Sequence, residues 1–440
     1  MSALSQIAVM EGRAVTGSDR DFDNGKNLVF RTALEKLGIK IFPQDGSGID
    51  ADTAEVAVST AIEESNPEIA KARAAGAKLL HRSELLSRYV DSFRTVAVGG
   101  TSGKSTVVGM LFTIFEEAGL GPSVITGGPL VALKERGLIG NAWRGKGRIL
   151  VIEADESDGT IVKYHPMIGL ILNVSKDHKD VAVIKTIFRQ FAGNVRKLYV
   201  NADDPELSDF RAGAELFGLS DSRLKIEDLR SEMFCSRFKM NGVDFVLPAP
   251  GLYNVENALA AISVALDMGI KLEVCAESLK KYRGVQRRFE PAGEAGGITV
   301  VDDYAHNPAK ISAVLGALHK AAGRRVIAIY QPHGFSPTRH LRRELVDTFS
   351  SELKSGDILM MPEIYYAGGT VAMDISSKDL VDEISARGGT AFYFKQRRDI
   401  IARALELAAS GDIFIVMGAR DWTLSDFAKE LFDAIKNKIQ

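Results

Sequence analysis

Short continuous apolar runs alternate with longer stretches of helical periodicity along the whole chain. Apolar runs between amphipathic helical patterns predict parallel strands whose crossover helices cover the faces of a sheet. In a first segment, AEVAVSTAI (54 to 62) reads as a strand leaving on a loop, followed by the helix-like PEIAKARAAG and by AKLLHRSELLSRYV. A second opens at TVAVGG (95 to 100) and adds RILVIEAD (148 to 155), MIGLILNV (167 to 174) and KLYVNADD (197 to 204). A third carries ITVVDDYAH (298 to 306), RVIAIYQPHG (325 to 334), GDILMMPEIY (356 to 365), TAFYFK (390 to 395) and GDIFIVMGAR (411 to 420). Boundaries near residues 93 and 290 fit this spacing. In open α/β sheets ligands gather beyond the carboxyl ends of strands, so the polar residues closing these runs are the candidate site positions. The opening MSALSQIAVMEGRAVTGSD reads as a helix, a turn at Gly12 and a short strand from Ala14 to Gly17. A Rossmann-like unit has a strand and a glycine turn ahead of its first helix. Either this unit has a different topology, or the natural start lies upstream of Met1 with the first strand before it.

Composition narrows the class. At 440 residues, with 45 % hydrophobic and 25 % charged residues, the chain reads as several ordinary globular domains and excludes disorder. Its 55 basic and 57 acidic residues leave a net charge of −2, so no global field favours nucleic acid. Apolar runs stop short of a membrane span, and a secretory leader pattern is missing from the first residues. Two cysteines, Cys235 and Cys275, exclude a disulfide framework. The expected setting is the cytoplasm.

The strongest local signal is Gly99-Gly100-Thr101-Ser102-Gly103-Lys104-Ser105-Thr106 between a strand and a helix. Glycines let backbone N–H groups wrap a phosphate, Lys104 brings a point charge to the β/γ oxygens, and the Ser105 hydroxyl suits Mg²⁺. Val98 stands where a full P-loop has another glycine, so the loop is a shortened one. Glu153, Asp155, Glu156 and Asp158 leave the next strand, where carboxylates hold Mg²⁺ or form an acidic surface loop. Asn173 to His178 closes a third strand, and His178 is either a metal ligand or a hydrogen-bonded bystander. Asn254 and Asn257 share a helix face, where an amide serves a purine edge or a cap. Arg287 and Arg288 clamp phosphate or form ion pairs. His306 and His333 each follow a strand of the third segment, and Arg339 is a nearby cation suited to a carboxylate or to the solvated surface.

Taken in order, GTSGKST, EADESD, the Asn173 to His178 run, YNVENALAA, GVQRRFE, DDYAHNP and QPH resemble the Mur ligase family. These are ATP-dependent enzymes that add amino acids or peptides to UDP-N-acetylmuramate precursors, and the alanine-adding branch is the most similar. The resemblance implies an α/β fold of three domains: Rossmann-like and UDP-sugar-binding over 1–93, a central P-loop ATPase-type parallel sheet over 94–290, and a Rossmann-like amine-binding domain over 291–440. It assigns ATP to Gly100, Thr101, Ser102, Gly103, Lys104, Ser105 and Thr106. It places Asn257 on adenine, Arg288 on phosphates and Asp303 on the ribose or phosphate region. Two Mg²⁺ ions are implied, one on Ser105 and one on Glu153 and His178. His306 and His333 fall on the amine side, and Ser18, Asp19 and Ser59 match the nucleotide-sugar region. The implied state is a monomer or homodimer.

Three departures bear on specificity. Ser102 replaces a histidine of the alanine-adding enzymes, Gly334 and Pro337 replace arginines that serve the amino acid carboxylate, and Gly418-Ala419-Arg420-Asp421 replaces a GAG turn. They point to an acceptor other than free alanine or to compensation by Arg339 or Arg420. Two competing readings are a folate-polyglutamylating type of ligase, with another acid and amine, and a nucleotide-binding paralogue without catalysis.

Overall fold

Parallel strands form wherever the apolar runs predict them. The computed structural model describes residues 1–175, 180–220, 223–366 and 372–439. A first unit comprises residues 1–229, 238–248 and 254–285; a second comprises 230–237, 249–253 and 286–440.

Near the start of the first unit, β1 (Thr16–Gly17) pairs in parallel with β2 (Lys40–Ile41), and β3 (Glu55–Val58) with β4 (Lys78–His81). The opening helix Ser2–Met10 buries Leu4 and Ile7 in the same apolar cluster as the central sheet. That sheet contains β5 (Arg94–Gly99), β6 (Ser123–Ile125), β7 (Ala142–Trp143), β8 (Ile149–Glu153), β9 (Ile168–Ile171), β10 (Lys197–Asn201) and β11 (Glu215–Phe217). Its order is β11-β10-β9-β5-β8-β6-β7, parallel except where β7 runs against β6. Val96, Ala97 and Val98 of β5 have no exposed surface, which explains an unbroken apolar run where a half-buried strand would alternate. Helices cover it; Phe188 and Phe191 are wholly buried, each worth roughly 2–3 kcal/mol of burial. The stretch from 226 to 247 adds β12 (Ile226–Ser231), β13 (Ser236–Met240) and β14 (Val243–Leu247).

In the second unit, β15 (Glu290–Ala295), β16 (Ile298–Asp303), β17 (Val326–Gln331), β18 (Ile358–Pro362), β19 (Ala391–Phe394) and β20 (Ile413–Gly418) line up as β15-β16-β20-β17-β18-β19. Only the edge strand β15 runs antiparallel to its neighbour. The helices that follow β16, β17 and β18 bury Ile311, Leu315, Leu345, Phe349 and Leu380 on one face. Those that follow β19 and β20 bury Ile400, Ala404, Leu424, Phe427 and Leu431 on the other. The last strand thus lies between two strands whose helices leave the opposite way. This is a topological switch, and it opens crevices at the carboxyl end of β20.

Candidate functional site

Strand order assembles the phosphate loop. Because β8 and β9 flank β5, residues closing those two strands stand on either side of the 100–103 turn. Gly100 has φ +141° and Gly103 φ +82°, and a Cβ on Gly100 would press on Leu172 and the Asn173 amide. Asn173 pins the turn: its Oδ1 accepts from the Ser102 N–H at 2.8 Å and the Thr101 hydroxyl at 2.9 Å, while its Nδ2 donates to the Ser102 carbonyl at 3.1 Å. Helix Lys104–Glu117 begins directly after the turn, so its free N–H groups and dipole face the loop. Thr106 is buried in its first turn.

Lys104 Nζ donates to the Gly100 carbonyl at 2.6 Å and to Glu156 Oε2 at 2.8 Å, with Asp155 Oδ1 at 3.5 Å. Burial works against its ammonium, yet the charges of Glu156, Asp155 and Glu153 outweigh that and hold its pKa above the ordinary value. It is a fixed cation at any physiological pH. Glu153 Oε2 gathers three donors: Ser105 Oγ at 2.7 Å, the Gly127 N–H at 2.8 Å and Thr126 Oγ1 at 3.0 Å. Sequence reasoning missed Thr126 and Gly127, although a glycine pair after the short apolar run Ser123–Ile125 is the same strand-exit signal used elsewhere. Asn257 sits against the turn, so close that a Cβ on Gly103 would overlap its Oδ1; its Nδ2 faces Asn254 Oδ1 at 3.5 Å.

The donor set fits one magnesium ion. Ser105 and Glu153 offer adjacent oxygens beside a phosphate loop, and Mg²⁺ takes one or two protein oxygens with phosphates and waters completing its shell. Among the described residues no three His, Cys, Asp or Glu side chains converge as a metal-binding group. His178, expected to join Glu153 on a second ion, lies outside the described residues.

Nearer the start, Ser18 Oγ donates to Glu68 Oε2 at 2.6 Å, and Asp19 caps the helix Arg20–Asp23 by accepting from the Asp21 N–H. Ser18 follows β1 and Ser59 follows β3, both at carboxyl ends of parallel strands. Among the described residues no helix is long and apolar enough to cross a membrane.

The second unit clusters the remaining positions at its own sheet edge. Asp303 closes β16 and accepts from the Phe289 N–H at 2.7 Å and the Ala305 N–H at 2.6 Å. Complete burial raises its pKa, against the pull of the Arg288 charge and those two amides. Arg287 and Arg288 stack over Tyr304 at 5.3 and 5.1 Å. Their roles separate: Arg287 is 1 % exposed and donates to Asp302 Oδ1 and to the Gly418 and Asp421 carbonyls, whereas Arg288 is not bound into that interior network. The His306 and His333 rings meet edge to face at 5.5 Å, and His306 Nδ1 contacts the Tyr304 carbonyl at 2.8 Å. Arg339 is engaged by Asp374 and by the Ala372 carbonyl.

Comparison with known proteins identifies the family and the fold. Family models match three successive stretches: the Mur ligase family catalytic domain at residues 1–94, the Mur ligase middle domain at 98–265, and the Mur ligase glutamate ligase domain at 287–420. The chain is 33 % identical to UDP-N-acetylmuramate--L-alanine ligase of Myxococcus xanthus over 96 % of its own length and 90 % of that protein. It is 35 % identical to the ligase of the same name from Caldanaerobacter subterraneus, over 95 % and 92 %. Among solved structures, UDP-N-acetylmuramate-alanine ligase of Thermotoga maritima superposes with a TM-score of 0.79 at 26 % identity, covering 99 % of this chain and 96 % of that one. A murein peptide ligase from Psychrobacter arcticus shares the fold, with a TM-score of 0.64 at 23 % identity over 99 % and 96 %.

Proposed function

This chain belongs to the Mur ligase family, and we propose that it joins an amino acid or short peptide to the lactyl carboxylate of a UDP-N-acetylmuramate-type substrate through an acyl phosphate. It is an ATP-dependent amide-forming ligase that releases ADP and phosphate. The observation that carries the reading is the convergence of Lys104, Ser105 and Glu153 at the carboxyl ends of β5 and β8.

The carboxylate oxygen of the acid attacks the ATP γ-phosphorus, and the bond to the β-phosphate oxygen breaks. The amine nitrogen then adds to the acyl carbon, loses a proton, and expels inorganic phosphate from the tetrahedral intermediate. Negative charge grows on phosphoryl oxygens in both stages. Lys104 and the loop N–H groups from Gly100 to Thr106 are positioned to stabilise it without reorganising, a contribution of placement and electrostatics. Bound Mg²⁺, held by Ser105 and Glu153, supplies further neutralisation of phosphate charge. By the family resemblance Arg288 is assigned to the phosphates and Asp303, which accepts from the Phe289 N–H, to the ribose or phosphate region, while Asn257 borders the nucleotide beside Gly103. His306 and His333 serve the amine, His333 being the nearer to the Gly334 turn. Residues 1–93 hold the nucleotide sugar through the strand ends at Ser18, Asp19 and Ser59, residues 94–290 hold ATP, and 291–440 hold the amine. We propose the cytoplasm as its compartment, a reading supported by ATP and a nucleotide sugar as joint substrates.

The test is phosphate release from MgATP with UDP-N-acetylmuramate and, separately, L-alanine, L-serine, glycine or the murein tripeptide, with the product mass confirmed. Turnover must require both the nucleotide sugar and an amine. Turnover with a pteroyl acid instead would replace this reading by the folate-type one.

A further inference from the structure

Among the described residues, six other than glycine have a positive φ. Three of them, Asn27, Asp228 and Asn241, are of the types whose short polar side chains tolerate the left-handed region. The other three, Arg287, Phe289 and Arg420, at φ +58°, +49° and +63°, belong to the second unit and gather around Asp303 and Tyr304. The Tyr304 N–H donates to the Arg287 carbonyl at 2.7 Å, the Phe289 N–H donates to Asp303 at 2.7 Å, and the Arg420 N–H faces the Tyr304 hydroxyl at 3.4 Å. Bulky residues hold this conformation only where their surroundings fix it, and such positions concentrate at functional sites. Arg287 and Phe289 flank Arg288. Both turn inward, 1 % and 6 % exposed, with Phe289 against the Phe234 ring at 6.1 Å, while Arg288 between them is exposed. Arg287 is bonded through its backbone and through all three guanidinium nitrogens. Its Nε donates to Asp302 Oδ1 at 3.1 Å, its Nη1 and Nη2 to the Asp421 and Gly418 carbonyls at 3.1 and 2.9 Å, and its own N–H to Glu290 Oε2 at 2.8 Å. The Ser425 hydroxyl donates to the second Asp302 oxygen at 2.7 Å. Glycines at 287 and 289 would reach these angles without strain, but would also leave them freely. With Arg287 and Phe289 anchored in the interior, the turn has one direction in which to present Arg288, whose guanidinium rests over the Tyr304 ring at 5.1 Å.

We propose that Arg287 is a positioning residue for the reaction: its buried side chain keeps the 287–289 turn in the left-handed form and so sets the direction in which Arg288 is offered to the phosphates. The inference rests on the ligase reading above and deepens it. At 1 % exposure Arg287 does not reach a substrate and acts only through its neighbour. The chemistry depends on placing charge against phosphoryl oxygens, where a misplacement of about 1 Å costs on the order of 10²-fold in rate. A plain interior strut would support the fold and nothing else, and the two roles give different kinetics.

Steady-state phosphate release is measured for wild type, Arg287→Lys, Arg288→Ala and the double variant, with UDP-N-acetylmuramate and the amine that supports turnover. Circular dichroism shows which variants are folded at the assay temperature. Arg288→Ala should lower kcat/KM for ATP about 10²- to 10³-fold, as for loss of one group facing the transition-state charge. Arg287→Lys keeps a charge beside Asp302 but cannot hold the Asp421 and Gly418 carbonyls as well. It should lower kcat/KM for ATP about 10- to 100-fold while Arg288 is present, with the KM for the nucleotide sugar unchanged, and by less than about twofold in the Arg288→Ala background. An equal loss in both backgrounds marks a strut and overturns the proposal, as does full activity of folded Arg287→Lys or of Arg288→Ala. If Arg287→Lys is unfolded, Glu290→Ala carries the same cycle: it removes the half-buried acceptor of the Arg287 N–H and is expected to cost about 3- to 10-fold only while Arg288 is present. If wild type releases no phosphate with any amine, the ligase reading fails first, and the cycle is repeated on equilibrium binding of MgATP. A loss of affinity confined to chains that keep Arg288 supports the positioning role. Affinity equal to wild type, or a loss independent of Arg288, overturns it.

Discussion

Replacing Gly103 by alanine probes how the phosphate loop is held. Two costs are readable from the structure. At φ +82° an L-residue in the left-handed region costs about 1–2 kcal/mol. The new Cβ would overlap Asn257 Oδ1 and stand 3.2 Å from its Cγ, and overpacking of this kind costs about 1–3 kcal/mol. Together Gly103→Ala should destabilise the first unit by about 2–5 kcal/mol. The two costs separate in a double-mutant cycle, because Asn257→Ala removes the clashing amide and leaves the backbone penalty. The coupling between the substitutions should therefore be favourable by about 1–3 kcal/mol. Urea unfolding reports it when followed by Trp143 fluorescence in a Trp422→Phe background; of the two tryptophans only Trp143 belongs to the first unit. Trp422 is 56 % exposed, so its replacement is mild. A coupling below about 0.5 kcal/mol would refute the claim that Asn257 and Gly103 share one close contact. The KM for ATP should rise in Gly103→Ala and recover in part in the double variant.

Other outcomes follow from the same geometry. Glu153→Gln keeps the three accepted hydrogen bonds in shape but loses the charge beside Ser105, and should lower turnover about 10²- to 10³-fold with an unchanged melting curve. Chelation by EDTA should abolish phosphate release and added Mg²⁺ restore it, with tryptophan fluorescence unaltered. Burial pushes the Cys275 thiol from 9.0 to about 12, so the native state keeps its proton where the unfolded chain has lost it. This term is fully favourable below pH 9, and stability should fall by about 1.4 kcal/mol per pH unit above that, a slope absent from Cys275→Ala. Arg287→Ala would leave Asp302 charged and buried, which should cost the second unit about 3–5 kcal/mol in thermal or urea unfolding followed by Trp422.

Much of the site was legible because its signals are local. The glycines, Lys104 and Ser105 need each other at fixed spacing to wrap a phosphate, and neighbours in sequence stay neighbours in space. The carboxylate of Glu153 was likewise visible as the polar end of an apolar run. Asn173 was visible only as part of a run. Its work on Thr101 and Ser102 depends on β9 lying next to β5, which no spacing within the chain states. Thr126 and Gly127 were overlooked because β6 is a three-residue strand, too short for its periodicity to stand out. The paired arginines looked equivalent, yet one is an interior strut and the other is not, a difference set by Asp302 and two carbonyls far away in sequence.

Alternating apolar runs and helical periodicity determined by themselves that this is a chain of parallel sheets covered by helices, since burying strands on both faces leaves no other economical arrangement. They also pointed to the polar strand ends as the candidate site positions. Strand order was decided by tertiary structure alone. Inserting β20 between β16 and β17, last in sequence but central in the sheet, puts Asp421 and Thr423 beside Gln331 and Arg397 and opens a cavity there. Local propensity cannot encode that choice, because β16, β17, β18 and β20 are alike buried along their whole length. It is made by which helices bury their apolar stripes together, a sum over contacts distant in sequence.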